Sequence, residues 1–157
     1  MRILIDTEIW AYAYKRPKKD WFESEKEYDK QISLHERAGK FVEDKLTNDV
    51  IFMSHQEIAE MWHVLTMRGR GIPGDMAYEI IKALLDTSTV IQVGITKSDV
   101  TRAIELSKET KIHIWDFLVV LPCEQLDKIY TMDKHFKHKA FQEIAPVENP
   151  LGVWLTM

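Results

Sequence analysis

Short apolar runs alternate with stretches of helical periodicity along the whole sequence, and that alternation leaves few architectures open. Residues 2–5, 50–53, 90–93 and 129–132 are the clear runs, and Ile144-Ala145-Pro146-Val147 makes a fifth. The first is apolar without interruption after Arg2, as expected of a strand buried on both faces of a parallel sheet. Pro146 restricts the last run to a sheet edge, since proline cannot donate to a central ladder. Helical spacing is expected over residues 7–14, 28–46, 54–67, 75–85 and 98–109, and again from Trp115 onward. In the third of these, Ile58, Met61, Trp62 and Leu65 recur at i, i+3, i+4 and i+7, an apolar stripe down one face. Lys15 to Glu27 is polar with Pro17 as a breaker and reads as a loop or the frayed approach to a helix; Arg68 to Gly74 reads as a turn. Strands alternating with helices imply an α/β/α sandwich on a parallel sheet of about five strands. The 157 residues suffice for one domain, expected over 1–157, that buries about 68–70% of its unfolded surface.

Such sheets carry their functional residues where the strands end. Asp6 closes the first strand and Asp133 the fourth, while Glu60 and Asp116 sit in apolar helices, Ile58-Ala59-Glu60-Met61-Trp62 and Trp115-Asp116-Phe117-Leu118-Val119. Charged side chains are unwelcome among such neighbours. Carboxylates gathered in one place repel and raise each other's pKa, so a divalent cation is the usual reason to keep them. The expectation is a Mg²⁺ or Mn²⁺ site, and phosphodiester cleavage is its commonest work.

Three of these four acids have a plainer alternative. Asp6 and Asp116 stand where helix caps stand, with Thr7 an equally good cap beside Asp6. Asp133 precedes Lys134 and would make an ordinary exposed turn. Glu57 completes the capping box Ser54-His55-Gln56-Glu57, which gives it a local structural task and leaves Glu60 the better site residue. Six histidines invite a zinc reading, with His135 and His138 three apart and His55 and His63 on or near one helix. Cys123 has no CxxC companion and the spacing is loose for structural zinc. Arg68, Arg70 and the run Lys134 to Lys139, with Lys134, Lys137 and Lys139, are either a basic rim for phosphate or solvated surface. Trp62 and Trp115 are expected in the core or a dimer interface.

The net charge of −4 argues against a broad basic face for nucleic acid, though not against an acidic cleft with basic patches on its rim. A lone cysteine suits a reducing cytoplasm. The opening residues are too short and too soon acidic for a signal peptide, and no apolar run approaches the ~20 residues of a membrane span.

Four segments carry a family resemblance: Ile3-Leu4-Ile5-Asp6-Thr7, Met53 to Glu60, Ile114 to Leu118, and Tyr130-Thr131-Met132-Asp133-Lys134-His135-Phe136. In order and interval they resemble the motifs of PIN-domain ribonucleases, most of all the VapC-like toxins of prokaryotic toxin–antitoxin pairs. The resemblance implies a PIN-like sandwich with strand order 3-2-1-4-5 and an acidic metal-binding quartet of Asp6, Glu60, Asp116 and Asp133. It also implies Thr131 as the family's small hydroxylic residue, with Thr7 in support, and Mg²⁺- or Mn²⁺-dependent hydrolysis of RNA. A homodimer and an antitoxin partner are implied as well. Glu8 departs from the family's asparagine, the Lys15–Tyr28 segment is long, and Pro122 is expected to kink its helix. A degenerate module that binds RNA or protein, and a housekeeping RNA-processing nuclease, stay open as alternatives. A phosphoacceptor domain ranks low, because Asp6 has no acidic neighbour in the first strand's motif and Val90–Val93 ends without an Asp.

Overall fold

The computed structural model describes residues 1–156. Its centre is a parallel sheet of five strands in the order β3-β2-β1-β4-β5. The strands are β1 (Arg2–Ile5), β2 (Val50–Ser54), β3 (Val90–Val93), β4 (Lys128–Tyr130) and β5 (Val147–Glu148). β1 is central, with Ile3 opposite both Ile51 and Lys128. Every crossover is helical, as parallel pairing requires. The helices are α1 (Thr7–Tyr14), α2 (Glu25–Asn48), α3 (His55–Thr66), α4 (Gly74–Leu85), α5 (Lys97–Thr110), α6 (Ile114–Val120) and α7 (Lys139–Gln142).

Alternation along the strands divides the core into two layers. Ile3, Ile5, Ile51 and Met53 face Trp10, Leu34, Ala38, Met61 and Leu65 from α1, α2 and α3. Leu4, Phe52 and Ile129 face Ala103, Leu106, Phe117, Val120, Phe136 and Phe141 on the other side. Phe141 stacks on Phe117 with centroids 4.6 Å apart and on Phe136 at 4.2 Å. Full burial of each such side chain stabilises the fold by about 1.5–3 kcal/mol, so the sheet is anchored from both faces.

The layers and strand order agree with expectation; several boundaries do not. α2 begins at Glu25 rather than Tyr28, because Ser24 caps it by accepting from Glu27 N at 3.1 Å. Within the segment expected to be loop or the frayed approach to a helix, Lys19–Trp21 forms a 3₁₀ turn. Pro122 kinks nothing: α6 ends at Val120, ahead of it. The edge strand is Val147–Glu148, displaced toward the C-terminus, because Phe141 and Ala145 are drawn into the core instead. Trp62 and Trp115 do not belong to the core, being 40% and 53% exposed.

Candidate active site

The C-terminal ends of β1 and β4 lie side by side, with Asp6 N donating to Tyr130 O at 2.8 Å. Asp6 therefore leaves the sheet beside Thr131, and both are buried. Asp6 is indeed the N-cap of α1: Oδ1 accepts from Thr7 N at 2.9 Å. Its other oxygen accepts the Thr131 hydroxyl at 2.8 Å, so capping and siting coexist. β4 stops at Tyr130, and the chain continues through Thr131 and Met132 to Asp133 rather than ending the strand there. Asp133 is 4% exposed, which removes the ordinary surface turn. It caps the 3₁₀ turn Lys134–Lys137 by accepting from His135 N at 2.8 Å. The Thr131 oxygen also accepts from Asp133 N at 3.0 Å, tying the two strand-end acids together.

Asp116 arrives from α6. His113 is the N-cap residue of that helix and makes no side-chain cap bond, and the Asp116 carboxylate turns instead toward the strand ends, with 13% of its side chain exposed. Glu60 projects from α3, where Gln56 Nε2 donates to Oε1 at 3.1 Å and Thr7 Oγ1 to Oε2 at 3.3 Å. Asp6, Thr7, Glu8, Arg68, His113, Asp116 and Asp133 line one cavity of about 250 Å³. Glu60 is not among its walls and joins the group through Thr7.

The electrostatics follow from the crowding. Burial pushes the Asp6 carboxyl up to about 7 against its bonds from Thr131 and Thr7, with the Asp133 and Glu60 charges adding to the rise. Asp116 is pushed up to about 8, by burial first and then by Asp6, Asp133 and Glu60. Glu60 is raised by burial, with Gln56 and Thr7 opposing. Acids that raise one another in this way form an anionic hole with hard oxygen donors, the set that Mg²⁺ and Mn²⁺ accept.

No protein-family model matches the sequence, and no curated protein matches it. Solved structures do. VapC20 of Mycobacterium tuberculosis, a sarcin–ricin loop cleaving toxin, superposes with a TM-score of 0.63 over 92% of this chain and 99% of its own, at 20% identity. A chain of VapBC2 from Rickettsia felis, bound to a DNA fragment from its promoter, superposes at 0.58 over 95% and 98%, with 15% identity. The fold is the PIN-like fold of VapC toxins.

Glu8, Glu57 and Asp116 differ from the other acids in their surroundings. Glu8 is buried and paired with Arg68 from the segment just after α3. The pair forms one wall of the acidic cavity and also borders a second one of about 380 Å³, lined by Tyr12, Lys15, Trp21, Phe22 and Arg70 among others. There Arg70 lies 5.6 Å from the centre of the Trp21 ring. Glu57 departs from expectation. Ser54 Oγ accepts from Glu57 N at 3.3 Å, but the return half of the capping box is missing: both Glu57 carboxylate oxygens are buried without a partner. The Trp10 indole N–H that would serve it donates to Ile5 O at 2.9 Å. Burial raises the Glu57 carboxyl well above the usual range, and the charges of Asp6 and Glu60 raise it further. The third acid is Asp116 itself, which His113 Nε2 and His135 Nδ1 approach at 3.4 and 3.3 Å.

The basic candidates divide. Arg68 reaches the acidic cavity and Arg70 the neighbouring one. Lys134, Lys137 and Lys139 are exposed and line neither. Lys137 lies over the Trp154 ring at 4.3 Å. His138, three residues from His135, does not join it but caps α7 by accepting from Ala140 N at 3.0 Å.

Proposed function

We propose that this protein is a Mg²⁺- or Mn²⁺-dependent endoribonuclease of the VapC toxin type. The observation that carries the reading is the single cavity lined by Asp6, Asp116 and Asp133, with two of these carboxyls raised to about 7 and about 8 by burial and by one another. Asp6, Asp116 and Asp133 would hold the metal, and Glu60 would bind it through water or directly. When bound, the ion supplies a water of lowered pKa and neutralises charge on the scissile phosphate.

The chain's own residues do the rest. Thr131 fixes the Asp6 carboxylate and the Asp133 backbone in one register, and Thr7 and Gln56 hold both oxygens of Glu60. In this reading Glu60, linked to the cavity through Thr7, takes a proton from the attacking water. A new O–P bond forms, the P–O bond to the leaving ribose oxygen breaks, and that oxygen recovers the proton. Arg68 and Arg70 offer cations along the adjoining cavity for flanking phosphates.

RNA as substrate accords with the loop-cleaving activity named for VapC20, and a protein antitoxin with the VapBC2 pairing. A homodimer and a cytoplasmic home belong to the same reading. Among the described residues no helix is long and apolar enough to cross a membrane, and Cys123 is a free, buried thiol. The test is cleavage of structured RNA by the purified chain with Mg²⁺, with Mn²⁺ and with EDTA. Cleavage in both metals, lost in EDTA and in Asp6→Asn, Asp116→Asn and Asp133→Asn, is expected. Tight RNA binding without cleavage in any metal would make it a non-catalytic module instead.

A further inference from the structure

His113 and His135 stand 22 residues apart in sequence and reach the same carboxylate oxygen from two elements. His113 Nε2 lies 3.4 Å from Asp116 Oδ2, and His135 Nδ1 lies 3.3 Å from the same atom. The three ligand atoms fall within 4.8 Å of one another, and the rings meet edge to face with centroids 5.5 Å apart. Asp133 Oδ1 is next in line, 3.6 Å from His135 Nδ1.

These separations are informative. A charge-assisted N–H···O bond closes to about 2.7–2.9 Å, so two imidazoles on one oxygen at 3.3–3.4 Å are held off the optimum. Bonds of about 2.0–2.1 Å at the tetrahedral angle set neighbouring donors about 3.3–3.4 Å apart. Octahedral Mg²⁺ with bonds of the same length sets its adjacent donors about 2.9 Å apart and takes oxygen rather than imidazole. Two imidazole nitrogens beside one carboxylate oxygen, at separations a tetrahedral ion would span, favour a borderline ion over Mg²⁺. The site is open to solvent, since half of the His113 side chain is exposed, which gives an ion a way in and leaves a position for water.

We propose that His113, His135 and Asp116 form a transition-metal site on the rim of the acidic cavity, taking Zn²⁺ or a similar ion ahead of Mg²⁺. It uses Asp116 Oδ2, and Asp116 also lines the acidic cavity, so the two metal sites adjoin. The donor geometry of this site is independent of RNA cleavage.

The chelator-stripped chain, full length, is titrated with Zn²⁺, Co²⁺ and Mg²⁺ by calorimetry, and the Co²⁺ complex is read by visible absorption. The wild type is expected to bind Zn²⁺ at least tenfold more tightly than either His113→Gln or His135→Gln, and to give an intense tetrahedral Co²⁺ band that both variants lose. His55→Gln, on the exposed start of α3, is expected to match the wild type. Thermal melts without metal verify that each variant is folded. Equal Zn²⁺ affinity in wild type and both variants, or an octahedral Co²⁺ spectrum in the wild type, would overturn the site. Because no RNA enters these measurements, a chain that cleaves nothing yet loses Zn²⁺ with His113 would fail as a nuclease and keep the rim site. The reverse result would do the opposite.

Discussion

Asp116 illustrates what a raised carboxyl means for stability. Its pKa rises from 3.8 to about 8 in the fold, and that of Asp6 from 3.8 to about 7. The folded protein therefore binds protons that the unfolded chain releases, so stability is greatest below about pH 4 for these groups and declines as pH rises through 7–8. Each pH unit in that window costs on the order of 1.4 kcal/mol per group in the metal-free protein. Asp116→Asn is expected to melt higher than wild type in EDTA at pH 8, and to gain less from Mn²⁺. A wild type that gains about 2.7 kcal/mol at a hundredfold excess of metal over Kd fits the shared site. A variant that melts lower in EDTA, beside a wild type indifferent to Mn²⁺, does not. Glu57 gives a second residue-scale test. If its carboxyl were the returning half of a capping box, Glu57→Gln would cost about 0.5–2 kcal/mol. With both oxygens buried and unpartnered, the amide is expected to cost nothing at pH 5 and to gain stability as pH rises, measured by urea melts across the range.

Elements decide which of these residues meet. That Asp6, Asp116 and Asp133 come together was legible because strand ends and apolar helices leave a pattern in the sequence, and parallel sheets bring strand ends together. Glu57 was misread because the motif Ser54-x-x-Glu57 is local, whereas the Trp10 bond that takes away its donor and the Asp6 charge that raises it come from other elements. The His113–His135 convergence has no local signature either; it follows from α6 and the turn after β4 packing on one core layer. The Glu8–Arg68 pair joins the first turn of α1 to the segment after α3. Lys15, at the end of α1, reinforces that joint by donating to Val64 O and Arg68 O, both at 2.9 Å. Removing one partner of a half-buried pair leaves the other charge uncompensated. Arg68→Ala is expected to destabilise by about 1–3 kcal/mol, tempered by the exposure of the guanidinium, and Glu8→Gln in the same chain to recover most of it. A double-mutant cycle by denaturant titration measures the coupling, and additive effects would separate the two residues.

At the scale of the molecule, a net charge of −4 surrounds a cleft that is itself acidic, so the proposed RNA substrate would have to be drawn by local cations. Lys134, Lys137 and Lys139 are exposed near the Asp133 turn without lining its cavity, a place suited to phosphates beyond the reacting one. Replacing all three by Gln is expected to weaken RNA binding and flatten its dependence on salt, since fewer counterions are released. Filter binding across a salt series reads the slope, and an unchanged slope returns the run to solvated surface. Such a loss would leave the fold untouched, because Phe136 and Phe141 from the same stretch stay locked in the second core layer.

The Thr131 oxygen, donor to Asp6 and acceptor from the Asp133 amide, has a further consequence in time rather than energy. That amide exchanges with solvent only when the bond opens, so its deuterium uptake is a clock for excursions of the two strand ends away from each other. In Thr131→Val the acceptor is gone, and the Asp133 amide is expected to exchange faster than in the wild type. Amides of the β1 core, read by the same spectra, should keep their pace. Slowed exchange at Asp133 on adding Mn²⁺ would mark the moment at which the two acids stop moving apart.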